Sequence, residues 1–420
     1  MRTSRGTASA ALACLLLLPL SGCQSADDGT QPASGAAGLP SRSDPPAGMD
    51  ESLRDAALAL IDAREEALVD GDREAFLSTV DPDELTFSAT QARWFDNLAQ
   101  LPVTDVSYEL GDESVMTQVS GAGDLQLPVD FTMRLDGFDR RPVTQQMVWT
   151  FTRDGDDALL ADDRNTQIDA RTGWTPAPWD LVRIEVRREG GILGIFDEDT
   201  EQHADYVMSD LAAASEAVRA RLPRWNGRFV AYGIADTSAI DEMSAMTVEN
   251  TAGVAFPVLA KVGGPVAAYR FAVNPTVVGD VLGRSLVFRH EIVHVAFGAS
   301  DDRSPTWLVE GIAEYLARTT YPVDERRRIS AYALGGAQPR TLEPTRRFYS
   351  RDAAANYELA ALVCDYVATT RGEDALWSLV RTFQTEDFGM WAATEGVVRR
   401  ELGSSTRELS RQALAWARAA

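Results

Sequence analysis

The chain has 420 residues, with 63 acidic against 40 basic side chains and a formal charge of −23. So negative a surface repels nucleic acid and anionic lipid headgroups, which excludes both as partners of the folded body. With 45% hydrophobic residues it can bury a sizeable core, and its length suggests two or three domains.

At the N-terminus, Arg2 and Arg5 precede an apolar run from Ala8 to Leu20, and Ser21 and Gly22 lead to Cys23. The run is too short for a permanent membrane span, and small residues before a cysteine fit the lipobox of a lipoprotein signal peptide. The expectation is a signal over residues 1–22, cleaved to leave Cys23 as a lipidated N-terminus. Because Arg2 and Arg5 are the only charges in that signal, cleavage takes the formal charge from −23 to −25. The stretch that follows is rich in Ser, Gly, Ala, Pro and Asp and has no apolar periodicity, so residues 23–49 read as a flexible tether. The protein is thus expected outside the cytoplasm, held to the cell membrane through its N-terminal lipid only. Cys14 leaves with the signal, and Cys364 then stands alone in LAALVCDYV, where a buried, unpaired thiol is expected.

Residues 50–171 read as an α+β accessory domain. Leu53, Ala57, Leu58, Leu60, Ile61 and Leu68 mark one face of a helix, and shorter helical stretches follow near Glu74–Val80 and Gln91–Gln100. VSYEL, LPVDFTMRL and QQMVWTFTR then alternate apolar and polar residues between Gly and Asp turns, the pattern of antiparallel strands with one wet face. Helices followed by a curved sheet resemble the cone-shaped domain of nuclear-transport-factor-2-like proteins. No chemical constellation is visible in it, so its expected role is to pack against its neighbour. TGWTPAPWD, residues 172–180, has two prolines and breaks both periodicities, which places the boundary there.

The second domain, residues 180–420, opens with the strand-like LVRIEVRR and GGILGIF. A helix over Glu201–Leu222 and the strands RFVAYGI and AAYRFAVNP follow. AAYRFAVNP reads equally well as a core strand or as the sheet edge that pairs with an extended peptide. From Val277 the pattern is helical, with segments near 277–297, 305–319, 324–333, 353–371, 374–384 and 405–418. The expected fold class is α+β: a helix-plus-curved-antiparallel-sheet domain, then a small sheet with a mostly helical C-terminal half.

The first of those helices carries His290, Glu291, Ile292, Val293 and His294, an HExxH motif that takes two of the chain's three histidines. Residues four apart share a helix face, so both rings can reach one metal ion. Glu291, one step round, can accept a proton from the attacking water and return it to a leaving amine. Zinc needs a third protein ligand and an open position. Phe297 and Ser300 stand where a metzincin needs Gly and His, and His203 lies far upstream in the polar context DTEQHADY, so a carboxylate is expected. Gly298 can end the helix, and Ser304 and Pro305 can start the next as N-cap and first-turn residue. At roughly 1.5 Å per residue, His294 sits about 6 Å before the first helix ends and Glu310 about 7.5 Å into the second. Glu314, one turn deeper, can hold the other nitrogen of a ligand histidine. Asp301 and Asp302 lie in the loop, where capping and solvation explain them.

HEIVHVAFG followed by PTWLVEGIAEY resembles the gluzincin metallopeptidases, in particular peptidase-MA-like domains and more distantly the zinc aminopeptidases. The resemblance implies Zn2+ held by His290, His294 and Glu310, with Glu291 as catalytic base. Its strong motifs occupy residues 290–315. It also implies a tyrosine that stabilises the oxyanion, for which Tyr357 stands in the matching helix. Tyr315, Tyr321, Tyr332, Tyr349 and Tyr366 lie in the same region, so that assignment stays open. The aminopeptidases' amine-gripping strand has no counterpart, since MTVEN at 246–250 lacks the needed Gly and Met. The expected function is a lipid-anchored extracytoplasmic zinc metallopeptidase acting on a peptide or protein substrate. An inactive peptidase-like lipoprotein that only binds a ligand is the alternative, and it would have no use for Glu291.

Overall fold

The computed structural model describes residues 51–112, 114, 125–165, 169, 176–237, 251–301, 303–342, 346–350, 352–385 and 391–420. The signal and tether with Cys23, the MTVEN segment, Asp302 and most of the 166–175 linker lie outside the described residues.

The fold is α+β. Three helices come first, α1 (Glu51–Asp70), α2 (Arg73–Ser78) and α3 (Leu85–Leu98). Four strands follow as an antiparallel meander in chain order, β1 (Val103–Leu110), β2 (Leu125–Leu135), β3 (Val143–Asp154) and β4 (Asp157–Asp162). Helix α1 buries Leu53, Ala57, Leu60 and Ile61 against β1 and β4, the i, i+4, i+7, i+8 spacing of one helical face. Leu58 and Leu68 sit on its partly buried flank.

The short helix α4 (Pro178–Leu181) leads into a five-stranded mixed sheet. Its strands are β5 (Ile184–Glu189), β6 (Ile192–Asp197), β7 (Phe229–Gly233), β8 (Gly253–Leu259) and β9 (Val266–Val273), and helix α5 (Ala204–Arg221) crosses from β6 to β7. The order is β5-β6-β7-β9-β8, with β6, β7 and β9 parallel and the two outer strands antiparallel to their neighbours. AAYRFAVNP is therefore an inner strand, which corrects the edge reading. Among the described residues the edges are β5 and β8, and β8, which contains Pro257, was not anticipated. An edge strand tolerates proline, since the missing N–H can face away from the ladder.

Both faces of this sheet are covered, so its strands read as continuous apolar runs. Ile192, Phe196, Phe229, Ala231, Phe271 and Val273 face one core with α5 and the later helices. The alternate residues Leu193, Ile195, Val230, Tyr232, Val254 and Phe256 share the other core with Leu127, Val129 and Trp149 of the first sheet. Arg270 on β9 crosses that junction, its guanidinium 2.9 Å from Asp139 and 2.8 Å from the Tyr232 hydroxyl, all three buried. Leaving one charge of such a pair unpartnered costs about 3–5 kcal/mol, so the pair holds the two sheets in register more than it adds net attraction.

The remainder is helical: α6 (Pro275–Val278), α7 (Val281–Phe297), α8 (Thr306–Ala317), α9 (Val323–Ala333), α10 (Arg346–Ser350), α11 (Ala353–Arg371), α12 (Asp374–Thr385), α13 (Trp391–Leu402) and α14 (Thr406–Arg418). Helices α10 and α13 were not anticipated. Helix α8 buries every residue from Trp307 to Ala313 between α7 and α11. Gly311 permits that approach, since a Cβ there would stand 2.7 Å from the Ala360 carbonyl oxygen and 2.8 Å from Cys364 Sγ. Cys364 is unpaired and fully buried, and burial pushes its thiol pKa far up. No helix among the described residues is long and apolar enough to cross a membrane.

Candidate metal centre

Helix α7 carries His290 and His294 one turn apart beside α8. Gly298, at φ +52°, ends it in the left-handed region, a single 3-10 turn covers Gly298–Ser300, and α8 begins at Thr306. Ser304 does not cap α8 as expected. Its hydroxyl donates to the Ser300 carbonyl at 3.0 Å, and the cap position, Pro305, has no side-chain bond. The turn still brings Glu310, in the second turn of α8, onto both histidines.

Three atoms converge. His290 Nε2 and His294 Nε2 are 3.1 Å apart, and Glu310 Oε2 lies 3.2 Å from the first and 3.4 Å from the second. A tetrahedral ion with bonds of about 2.0–2.1 Å sets its ligands roughly 3.3 Å apart, so the triangle has the size of one tetrahedral face. Among the described residues, this is the one group of His, Cys, Asp or Glu side chains placed to hold a metal. All three are buried, at 7%, 9% and 5% exposure.

The outer nitrogens explain why the inner ones need a cation. His290 Nδ1 faces Glu314 Oε1 at 3.2 Å, and His294 Nδ1 faces Asp301 Oδ1 at 2.9 Å. Ionised carboxylates only accept, so each Nδ1 carries the proton and each neutral ring turns its Nε2 lone pair inward. Glu310 Oε2 adds a third acceptor, buried and with no hydrogen-bond partner of its own. Three acceptors aimed at one point repel unless positive charge sits between them. The donor set therefore fits a metal ion, and two imidazoles with one carboxylate suit zinc better than the oxygen-seeking calcium or magnesium.

Without a metal, protons are drawn in instead. Burial opposes charge on His290, but the carboxylates of Glu310 and Glu314 outweigh it and push its pKa up to about 10. Burial is likewise outweighed at His294, where Asp301 and then Glu310 hold the pKa well above the usual imidazole value. Glu310 is depressed far below the carboxylate range because the two imidazoles overcome its burial. Glu314 falls to about 2, burial being overcome by Arg318 and then His290.

Glu314 stands where the helical spacing puts it and extends the network outward. Arg318 bonds it at 2.6 Å and also bonds both oxygens of Glu358 at 2.9 Å. Two partners were missed in the sequence. Asp301 was read as a loop or capping residue, yet it holds His294; the available signal was its i+7 position, which lies on the same face when helical winding continues through the turn. Tyr349 on α10 donates its hydroxyl to Glu310 Oε1 at 2.7 Å, and a five-residue helix gives no periodicity that would have found it.

Glu291 is buried beside the triangle without joining it. The Ala255 N–H on β8 donates to its carboxylate, and burial raises its pKa above the usual value despite both histidines. Its Cγ is so close to β8 that a Cβ at Gly253 would stand 3.0 Å away. Tyr357 packs its ring 6.2 Å from that of His290 and also against Phe348 and Tyr349. His203 lies in a 3-10 turn before α5 and is not part of the cluster. No protein-family model matches the chain, and no curated protein matches it.

Proposed function

We propose that the protein is a zinc-dependent metallopeptidase, tethered outside the cytoplasm through lipid on Cys23, that hydrolyses peptide bonds of a peptide or protein substrate. The observation that carries this reading is the convergence of His290, His294 and Glu310 at tetrahedral spacing, with a fourth buried carboxylate, Glu291, beside them and outside the ligand set. A structural histidine pair has no use for that fourth group, whereas hydrolysis needs a base next to the metal. The gluzincin resemblance of residues 290–315 supports the same assignment.

When bound, zinc would supply Lewis acidity to a water molecule and to the scissile carbonyl. Glu291 takes the water's proton on its carboxylate and passes it to the leaving amine. Its raised pKa suits a group that must hold a proton partway through the reaction. Asp301 and Glu314 keep each ligand ring in the tautomer that turns Nε2 inward. Tyr357, whose ring packs 6.2 Å from that of His290, is the candidate donor to the developing oxyanion. Edge strand β8, which holds Glu291 through Ala255, is the place for an extended substrate to add its backbone.

The reading is tested by the metal content of wild type and Glu310→Ala. The variant should retain far less zinc, and equal content would remove Glu310 from the site. Zinc bound at full stoichiometry without cleavage of any member of a broad peptide library would point to a binding protein instead.

A further inference from the structure

A second feature lies away from the metal triangle. Where the β2–β3 turn, the end of α5, the end of α7 and the start of α12 meet, a cleft of about 1340 Å3 opens. Seven arginines line it against four carboxylates, in a chain whose formal charge is −23. Three of those carboxylates are already engaged, Asp139 by Arg270, Glu373 by Arg221 and the Tyr315 hydroxyl, and Asp136 by Arg134. Among the described residues, none of Arg140, Arg224, Arg228, Arg371 and Arg381 pairs with a carboxylate, and all five are exposed. An acidic protein that gathers unpaired cations in one concavity holds them against mutual repulsion, which an anionic occupant would relieve.

The walls between the arginines are aromatic. Phe138, Trp225 and Trp377 line the cleft, and Trp377 meets Phe297 edge-on at 6.2 Å. We infer that this cleft is a docking site for an acidic polypeptide segment in which carboxylates alternate with apolar side chains. Its volume exceeds the roughly 300–1,000 Å3 that serves a small ligand. Planar guanidiniums match carboxylates in bidentate pairs and stack on aromatic faces, so one lining recognises both kinds of side chain. A membrane surface cannot enter a concavity, and a polyphosphate would meet Asp136 and Asp374 and leave the aromatic walls unused. Phe297 and Ser300 line the cleft, and Asp301, next in the chain, is the residue that holds His294. The inference goes beyond the hydrolytic reading and needs neither metal nor cleavage.

The test is a fluorescence-anisotropy titration of the full chain carrying Glu291→Gln, so that hydrolysis plays no part. The probe is a fluorescein-labelled peptide of Glu-Leu-Gly repeats, compared with its Gln-Leu-Gly counterpart. The acidic probe should bind, weaken as salt is raised, and bind at least tenfold less tightly to Arg224→Glu/Arg381→Glu. A distant control, Arg328→Glu/Arg407→Glu, should bind as the parent does, and both doubles should melt at the parent temperature. If the cleft double folds poorly, Arg224→Gln/Arg381→Gln replaces it, with a smaller loss expected. Equal binding by the cleft and control variants, binding of the Gln probe as tight as the Glu probe, no binding at low salt, or tighter binding of inorganic polyphosphate would each overturn the inference.

Discussion

Removing the Asp301 carboxylate should weaken zinc binding without touching a ligand atom. Its Oδ1 stands 2.9 Å from His294 Nδ1, and its side chain, 15% exposed, makes no other hydrogen bond among the described residues. In Asp301→Ala the ring is free to rotate and to move its proton to Nε2, where it competes with the metal. Loss of such a partner lowers metal affinity by about 10–100-fold, or about 1.4–2.7 kcal/mol. Asp301→Asn keeps an accepting oxygen and loses only the charge, so it should fall near the tenfold end, with Ala near the hundredfold end. Glu314 holds His290 in the same way, but it also bonds Arg318, so Glu314→Gln should lower thermal stability along with affinity. Competition against a chromophoric chelator near neutral pH measures all three. Wild-type affinity in Asp301→Ala would refute the idea that carboxylates on Nδ1 set the ligand tautomers.

Tyr349→Phe removes the 2.7 Å hydrogen bond to Glu310 and should lower zinc affinity by roughly tenfold while leaving the fold intact; unchanged affinity in the same competition assay would discount that bond. Gly311→Ala forces a Cβ against the Ala360 carbonyl and should destabilise by about 1–3 kcal/mol, whereas Gly396→Ala, in an exposed helical position with nothing within 4 Å, should stabilise by up to about 1 kcal/mol. Paired denaturant titrations check this, and equal shifts would contradict the packing described for α8. The metal-free protein should lose stability at both ends of the pH scale. His290, raised from 6.5 to about 10, contributes stability that is complete below pH 6.5 and lost as pH rises through about 10. Glu314, lowered from 4.5 to about 2, contributes stability that is complete above pH 4.5 and lost as pH falls through about 2. Thermal melts in chelator should show the alkaline loss in wild type and a smaller one in His290→Gln, and identical profiles would break the assigned network.

What could be read from the sequence followed from short-range periodicity. The i, i+4 spacing put His290 and His294 on one face, and the short loop ending at Pro305 put Glu310 and Glu314 opposite them. The helical segments near 353–371 and 374–384 were readable for the same reason, and the structure has helices at Ala353–Arg371 and Asp374–Thr385. Asp301 was not, because its role depends on a left-handed Gly298 and a 3-10 turn that carry the loop back over His294. Tyr349 reaches Glu310 across 39 residues, a pairing set by tertiary packing alone. AAYRFAVNP read equally well as a core strand or a sheet edge, and nothing in it marked Arg270 as half of a buried ion pair. Its partner Asp139 comes from the β2–β3 turn of the first sheet, and nothing local announces that both faces of β9 are covered. Strand β8 was not anticipated either, and its Pro257 is compatible with a strand because β8 lies on the sheet edge.

The most direct measurement is zinc per chain together with cleavage of a peptide library, made on wild type and Glu291→Ala side by side. The geometry predicts one zinc in each protein and cleavage by wild type alone, since Glu291 lies beside the ligand triangle and outside it. Absence of zinc from wild type after equilibration with the metal, or cleavage that survives Glu291→Ala, would contradict it.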